Sequence, residues 1–269
     1  MCRALQVSVS GFYAWRQRDP SDRSRENDAI LSEVRKIHRK YRRSYGSPRM
    51  SQELVALGHR CSRGRAERLM RANGIAAKPR KQFVTTTDSR HELPVAENLL
   101  NRDFAPSAPN QVWSSDITFV RTDRGWLYVA VTLDLYSRKV VGWATGSNID
   151  TGLVARALRM ATDTRQPGRG LIHHSDRGSQ YASDAFQEIL EAYGMTCSMS
   201  RRGNCWDNAP VESFFGSMKV EWLEDLYETR AQATQDVFEY IEVFYNRERR
   251  HSTLGGISPV RFEELRKAA

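Results

Sequence analysis

The sequence lacks the features of membrane proteins, disulfide scaffolds and zinc-binding proteins. Its 269 residues contain no apolar run near the length of about 18 residues that a membrane helix needs. The first residues carry neither a long apolar segment nor a clear signal-cleavage site. Four cysteines, at positions 2, 61, 197 and 205, lie far apart and form no CxxC pair. We therefore expect no membrane partner and a reducing, cytoplasmic location.

Positive charge is concentrated at one end of the chain. Residues 1–100 contain 21 Lys and Arg against 10 Asp and Glu, whereas residues 101–269 contain 20 against 22. The whole net charge of +9 therefore comes from the first third of the sequence. Such a surplus indicates a polyanionic partner for that third, although an ordinary solvated basic face has the same composition.

The basic third has the pattern of a small helical domain. Residues 1–22 are predicted to form an N-terminal arm, and residues 23–80 a separate basic domain. Apolar residues at helical spacing predict three helices in this domain, which begin near Ser24, Arg49 and Ser62. Ser62 is the expected N-cap of the third helix.

The last two of these helices flank a turn at Gly58. Two short helices joined by a tight turn are typical of helix-turn-helix DNA-binding domains, but also of plain basic helical bundles. The second helix of the pair carries a row of basic side chains. We expect these side chains to bind DNA: Arg63, Arg65, Arg68 and Arg71.

The remaining two thirds has an α/β pattern. Residues 81–109, rich in Thr, Ser, Asp and Pro, are predicted to be a linker. Residues 110–226 contain three strand-like runs with short connections, then a helix, a strand, a helix, a strand and a helix over about Asp207–Leu226. This order predicts a ribonuclease H-like core, with a mixed five-stranded sheet and flanking helices. Residues 227–269 are predicted to be a C-terminal helical extension, with one amphipathic helix over Arg230–Arg249.

Three carboxylates occupy unusual positions in this core. Asp116 lies in the middle of a strand-like run, where Asp is rare and must be paired, protonated or bound to metal. Asp176 directly follows the fourth strand, and Glu212 lies near the start of a helix. The predicted fold brings these three segments together. Three hard oxygen donors favour Mg²⁺, with Mn²⁺ as a substitute, and suit two-metal phosphoryl transfer.

Basic residues surround the third carboxylate in the sequence. Lys219 follows Glu212 by two helical turns and faces the same way, so it is a candidate for holding a DNA phosphate. An ordinary exposed lysine would have the same spacing. Arg201 and Arg202 precede the helix of Glu212 in a loop, and we expect them to contact DNA.

We expect other polar residues in the strands to have structural roles. Asp134 is expected to have a role at a strand end or turn. Neighbouring residues in a strand point to opposite faces, so His173 and His174 cannot easily bind one metal ion. We expect both histidines to pack or to form hydrogen bonds.

Long motifs give the sequence a family resemblance. The segments NQVWSSDITFV, GWLYVAVTLDLYSRKVVGW, HHSDRGSQY, SRRGNCWDNAPVESFFGSMKVE and YNRERRHSTLGGISPV resemble the second-frame (OrfB) transposases of IS3-family insertion sequences, within the DDE superfamily of retroviral-integrase-like recombinases. The resemblance extends to SGFYAWRQR, YGSPRMSQEL and RLMRANGI, and so covers nearly the whole chain.

The resemblance implies specific roles. It identifies Asp116, Asp176 and Glu212 as the catalytic triad, with 35 residues between the last two, and Lys219 as the basic residue that follows. A C-terminal motif of less defined role matches Tyr245, Asn246, Arg249 and His251. Such transposases cut one strand at an element end, and the freed 3′-hydroxyl then attacks DNA. The family further implies a homo-oligomer, and a fusion or partnership with the first-frame (OrfA) product.

Alternative functions share parts of this pattern. A ribonuclease H-like nuclease or junction resolvase would need the carboxylates but not the basic N-terminal domain. An OrfB-type DNA-binding regulator, active only with its first-frame partner, could retain an intact triad. A tyrosine recombinase is a weaker candidate, because no nucleophilic tyrosine with suitable partners is evident.

Overall fold

The computed structural model describes residues 2–79, 95–201 and 204–267. The chain divides into two compact units, Met1–Lys78 and Pro79–Ala269. In the ranges that the structure describes, no helix combines the length and apolar character needed to cross a membrane.

The smaller unit is helical. Its helices are α1 (Val9–Gln17), α2 (Asp22–Lys40), α3 (Ser47–Ala56) and α4 (Arg63–Ala72). Helix α1, within the predicted arm, has no buried residue. Apolar side chains one turn apart on α2, α3 and α4 form the core, since Val34, Leu54 and Ala66 are completely buried.

The turn between α3 and α4 depends on two residues that the sequence singles out. Gly58 has a φ of +88°, a conformation that glycine adopts without steric cost. The Ser62 hydroxyl accepts a hydrogen bond from the amide of Arg65 at 3.3 Å and so caps α4. The structure therefore contains the predicted pair of short helices with its glycine turn.

The larger unit is built on a mixed five-stranded sheet, as predicted. The strands are β1 (Val112–Thr122), β2 (Gly125–Asp134), β3 (Lys139–Gly146), β4 (Ile172–Ser175) and β5 (Thr196–Met199). Their order is β3-β2-β1-β4-β5. The first three strands form an antiparallel meander, and β4 and β5 add to it in parallel.

Helices flank this sheet. They are α5 (Thr151–Arg165), α6 (Ser179–Ala182), α7 (Asp184–Ala192), α8 (Ala209–Glu221), α9 (Arg230–Phe238) and α10 (Pro259–Lys267). Helix α5 lies directly against β3, because a Cβ atom on Gly142 would overlap the carbonyl oxygen of Ala157. Trp113, Leu158 and Phe186 are fully buried in the core that joins α5 and α7 to the sheet.

The predicted C-terminal helix over Arg230–Arg249 is interrupted. The α-helical part ends at Phe238 and continues as a π-helical turn, Glu239–Tyr245, in which the amide of Asn246 bonds to the carbonyl of Ile241. Tyr240 and Tyr245 both pack around the ring of Phe214 on α8, with centroids 5.8 and 4.7 Å away. The wider π-helical turn lets both large rings reach α8. This packing depends on tertiary contacts, so the helical spacing of apolar residues does not predict it.

The predicted linker also differs from the structure. Of its residues 81–109, those from 95 onward are described, and they lie within the larger unit. Leu100 is buried, the amide of Leu99 donates to the Ser198 hydroxyl at 3.0 Å, and Asn98 donates to Asp207 at 2.9 Å. These contacts fix the segment on the sheet although its composition is that of a loop.

Candidate active site

The sheet topology places two of the three predicted carboxylates side by side. Strand β4 pairs with β1 only from Val112 to Ser115, and β4 ends at Ser175. Asp116 is therefore the first residue of β1 beyond this pairing, and Asp176 is the first residue after β4. Because the two strands are parallel, both carboxylates leave the sheet at the same place.

Asp116 lies in an environment that disfavours its charge. The side chain is half-buried, and its Oδ1 accepts a hydrogen bond from the amide of Ile117 at 2.7 Å. Burial raises the pKa of Asp116 well above its usual value, and the charges of Asp176 and Glu212 raise it further. The Lys219 ammonium opposes this shift. The charges of Asp176, Glu212 and Lys219 therefore all act on Asp116.

Asp176 is held by the loop that leads into α6. Its Oδ1 accepts a hydrogen bond from the amide of Gly178 at 2.9 Å. A Cβ atom on Gly178 would lie 3.0 Å from this same oxygen and 2.9 Å from Oε1 of Gln180. The glycine therefore leaves room for the carboxylate beside the backbone.

Glu212 approaches the other two carboxylates from α8. It is a solvent-accessible residue in the first turn of the helix, and its pKa is raised by partial desolvation from the surrounding protein and by the charge of Asp176. Lys219, two turns later, has its Nζ 4.7 Å from the centre of the Phe119 ring on β1. Burial lowers the pKa of Lys219, whereas Asp116 raises it, so the lysine extends along β1 near the carboxylates.

A short 3₁₀ turn, Cys205–Asn208, fixes the start of α8 beside Asp116. The Asn208 side chain bonds to the Ser114 hydroxyl, and its Nδ2 donates to the carbonyl of Ser115 at 3.1 Å. Both partners lie on β1, next to Asp116. The sequence pattern did not identify Asn208, because its role depends on a contact across 93 residues.

Asp207, in the same turn, is a further residue that the sequence did not indicate. It is fully buried and accepts hydrogen bonds from Arg102 at 3.0 Å and from Arg201 at 2.8 Å. The Arg201 hydrogen bond is the main reason that its pKa lies far below the usual value. Arg201, which was predicted to contact DNA, thus forms an ion pair with Asp207, although about half of its side chain remains exposed. Arg202 lies outside the described residues.

The two histidines of β4 have structural contacts. His173 shares a hydrogen bond with the Ser115 hydroxyl at 2.9 Å, and His174 shares one with the Ser198 hydroxyl at 2.9 Å. Burial lowers the pKa of His173 to about 3 and that of His174 to about 4. Both rings are therefore neutral near pH 7, in agreement with the packing role expected from strand alternation.

Tyr181 is a buried residue within electrostatic reach of Asp116 and Asp176. Its hydroxyl is buried without a hydrogen-bond partner among the described residues. Burial raises the pKa of Tyr181 well above its usual value, and the charges of Asp116 and Asp176 raise it further. Tyr181 therefore presents a neutral hydroxyl to the carboxylates, a role that no sequence signal marked.

The donor set fits a divalent cation in its chemistry. Within the described ranges, no three Asp, Glu, His or Cys side chains stand at metal-ligand spacing. Burial raises the pKa values of Asp116 and Glu212, and the negative charge of Asp176 raises both further, as like charges do at close range. A cluster of repelling carboxylates is what Mg²⁺ or Mn²⁺ neutralises, and oxygen is their preferred donor.

The residues of the C-terminal motif, Tyr245, Asn246, Arg249 and His251, form contacts with α8 and with the sheet. Arg249 is buried and pairs with Glu221, at the end of α8, through bonds of 2.6 and 2.8 Å. Asn246 bonds to the amide and the carbonyl of Val140 on β3. The Tyr245 ring packs against His251, with ring centres 4.6 Å apart. These four motif residues therefore connect the helix of Glu212 to the sheet.

Asp134 is also structural, as expected. It is fully buried at the end of β2, where it accepts a hydrogen bond from Arg165 of α5 at 3.0 Å. Arg165 also bonds to Glu263 of α10 at 2.8 Å, which joins the last helix to the sheet.

The arginines of α4 fall into two groups. Arg63, Arg68 and Arg71 are exposed, and Arg71 pairs with Glu67 at 2.7 Å. Arg65 instead bonds to Asn27 at 2.7 Å and to Glu26 at 2.9 Å, both on α2, and only 15% of its side chain is exposed. Through these contacts Arg65 links α4 to α2.

Comparisons with known proteins agree with this arrangement. The HTH-like domain family matches residues 25–83, and two integrase core domain families match residues 106–205 and 193–259. The chain is 46% identical over 265 residues to the insertion element IS600 uncharacterized 31 kDa protein of Shigella sonnei, across 98% of this chain and 97% of that protein. It is 43% identical over 266 residues to the transposase InsF for insertion sequence IS3A of Escherichia coli (strain K12), across 98% and 92%.

The chain belongs to the IS3 family of insertion-sequence transposases. This transposase combines an HTH-like unit with an integrase catalytic core, which makes it a polynucleotidyl transferase. Among solved structures, a chain of the simian T-cell lymphotropic virus intasome, in complex with PP2A regulatory subunit B56 gamma, is 14% identical with a TM-score of 0.49, over 85% of this chain and 73% of that chain.

Proposed function

We propose that Asp116, Asp176 and Glu212 hold two Mg²⁺ ions and catalyse strand cleavage and strand transfer at the ends of an insertion sequence. The observation that carries this proposal is geometric: Asp116 and Asp176 follow the last paired residues of β1 and β4, and Asn208 binds the start of the Glu212 helix to β1 at the same place. When bound, the ions supply activation of the attacking oxygen and stabilisation of the leaving oxygen. Mn²⁺ has the same preference for oxygen donors and can replace Mg²⁺.

The proposed chemistry has two displacements at phosphorus. In cleavage, a water oxygen bonds to the phosphorus at the element end and the bond to the 3′ oxygen breaks, leaving a 3′-hydroxyl and a 5′-phosphate. In transfer, that 3′-hydroxyl oxygen bonds to a target phosphorus, and the target's own bond to a 3′ oxygen breaks. The attacking group releases its proton to solvent, and the leaving oxygen takes one up.

The protein's other residues position the DNA in this proposal. Lys219 lies within electrostatic reach of Asp116, where it can hold a phosphate next to the reacting one. The exposed arginines of α4, Arg63, Arg68 and Arg71, would bind the phosphates of a duplex. Arg201, half-exposed beside the site, and Arg202 complete the proposed set of DNA contacts.

We further propose a homo-oligomer, because two element ends must meet for transfer. The first-frame (OrfA) product is the proposed partner, either as a fusion or as a separate chain. The proposed location is the bacterial cytoplasm, on the nucleoid when DNA is bound.

Strand transfer by the purified chain tests the proposed function. Labelled duplexes carrying the element's ends are incubated with Mg²⁺ and either the wild type or D116N. The matched control is D184N, which removes the charge of an exposed aspartate in the same unit. We expect joined product with the wild type and D184N, and none with D116N.

The regulator alternative predicts a different result. A regulator that is active only with its first-frame partner would bind the duplexes and form no product alone, whereas its fusion to the first-frame protein would form product. Product that persists at full yield in D116N would contradict the assignment of the triad.

A further inference from the structure

One aromatic side chain near the active site is largely exposed to solvent. Trp206 lies in the 3₁₀ turn Cys205–Asn208, between β5 and α8, and 68% of its surface is exposed. Tryptophan is enriched at binding surfaces, because its large flat ring can be buried against a ligand or a partner. Trp206 has the largest exposed fraction among the large apolar side chains in the part of the chain that the structure describes.

The turn that carries Trp206 is firmly anchored on both sides. The amide of Trp206 donates to Oδ1 of Asn204 at 3.2 Å. The next residue, Asp207, is fully buried in its pair with Arg201, and Asn208 bonds to β1 beside Asp116. The backbone of the turn is therefore held in place while the indole projects into solvent.

The residues around Trp206 are suited to binding a nucleic acid strand, which has both negative phosphates and flat bases. Arg102 and Arg201 bind the buried Asp207, and their side chains are 46% and 49% exposed. Two guanidinium groups and one carboxylate leave a surplus of one positive charge at the turn. An exposed aromatic next to exposed cations is the arrangement by which proteins bind unpaired nucleotides, through base stacking and phosphate contact.

The position of the turn indicates which part of the bound DNA would lie against Trp206. Asn208 contacts the residues that precede Asp116, and Glu212 lies one helical turn after it. A strand whose phosphate is at the carboxylates would therefore pass close to Trp206. We propose that Trp206 stacks on an unpaired base of the DNA strand next to the reacting phosphate. This inference rests on the proposed function, because it takes DNA as the substrate of the site.

Binding to a forked duplex tests this inference without strand transfer. The probe has 2-aminopurine at the first unpaired position of the fork, and the reference is the fully paired duplex of the same sequence, both in EDTA. We expect W206A to weaken binding of the fork about 5- to 150-fold, the range for loss of one stacked base. Binding of the paired duplex, and the salt dependence for both, should not change because no charge is removed.

Two variants control for folding and for general loss of an aromatic. F238A removes another exposed aromatic, 44% exposed on α9, and should bind both probes as the wild type does. W206F retains a stacking ring and should keep most of the affinity for the fork and the quenching of 2-aminopurine. W206A and W206F should keep the wild-type melting temperature, since the Trp206 side chain is largely exposed.

Several outcomes would overturn the inference. Equal affinities of W206A and F238A for the fork would show that Trp206 does not stack on a base. An equal loss on the forked and paired probes would assign Trp206 to a general DNA contact. If W206A instead changed the sedimentation of the protein without DNA, Trp206 would be a contact between copies of this chain. Failure of strand transfer together with a selective loss of fork binding would leave this inference standing and contradict only the proposed chemistry.

Discussion

At the scale of single residues, position in the sheet explains why an aspartate can occupy the middle of a strand. Strand β1 has partners on both sides up to Ser115, and beyond it only β2 remains. Asp116 is the first residue on the open side. Its place in a strand-like run was visible in the sequence, whereas the end of the β4 pairing was not, because register is set by the packing of both strands.

The buried Tyr181 hydroxyl gives a prediction for stability. Y181F removes a buried hydroxyl that has no partner among the described residues, so we expect the free energy of unfolding to stay the same or rise by about 1 kcal/mol. Y227F is the matched control, because the Tyr227 hydroxyl donates to Asp236 at 2.7 Å and accepts from the amide of Glu224 at 3.0 Å.

Chemical denaturation in EDTA measures both variants. Y227F removes two hydrogen bonds, one of them to a carboxylate, and should lose about 1.5–3 kcal/mol of unfolding free energy. A loss of the same size in Y181F would mean that its hydroxyl has a partner after all.

At the scale of helices and strands, local signals predicted the elements better than their ends. Spacing of apolar residues and short connections predicted the meander and the mixed five-stranded sheet, since these depend on local patterns. Helix α8 was predicted to continue to Leu226, but it ends at Glu221. Glu221 there pairs with the distant Arg249, and Tyr227 bonds to the backbone of Arg121 on β1.

The two groups of arginines on α4 should respond differently to substitution. R68Q removes an exposed guanidinium and should reduce the slope of log affinity for DNA against log salt by about one unit, without changing the melting temperature. R65Q should lower the melting temperature, because it leaves Asn27 and Glu26 without their partner, and should keep the slope.

Titration of duplex binding at several salt concentrations, with thermal melts of the same samples, separates these effects. Sequence periodicity placed both arginines in the same predicted helix and could not separate them, since the partners of Arg65 lie 38 and 39 residues away. A reduced slope in R65Q with unchanged melting would return Arg65 to the DNA-binding set.

At the scale of the whole core, the C-terminal extension acts as a brace for the catalytic helix. Arg249 bonds to Glu221 and to Ser217 on α8, and both members of the ion pair are buried. The sequence resemblance marked Arg249 without a role. Its function became visible only with the tertiary contacts, because the pair spans 28 residues.

Breaking this buried pair should be more damaging than removing it. R249M leaves the Glu221 charge buried without its partner, and we expect a loss of about 3–5 kcal/mol in unfolding free energy. The double variant R249M/E221M removes both charges and should recover a large part of that loss. Urea denaturation of the two single variants and the double variant forms the cycle, and simple additivity of the single losses would contradict the role of the pair.

The central claim is that three distant carboxylates form one site that holds the metal ions, and binding of Mn²⁺ tests it most directly. Calorimetric titration compares the wild type with D116N, D176N and E212Q, and with D184N as the control. We expect the wild type and D184N to bind Mn²⁺ alike, and each triad variant to bind it much more weakly, because each loses one oxygen donor and one negative charge. Wild-type affinity in all three triad variants would contradict the claim.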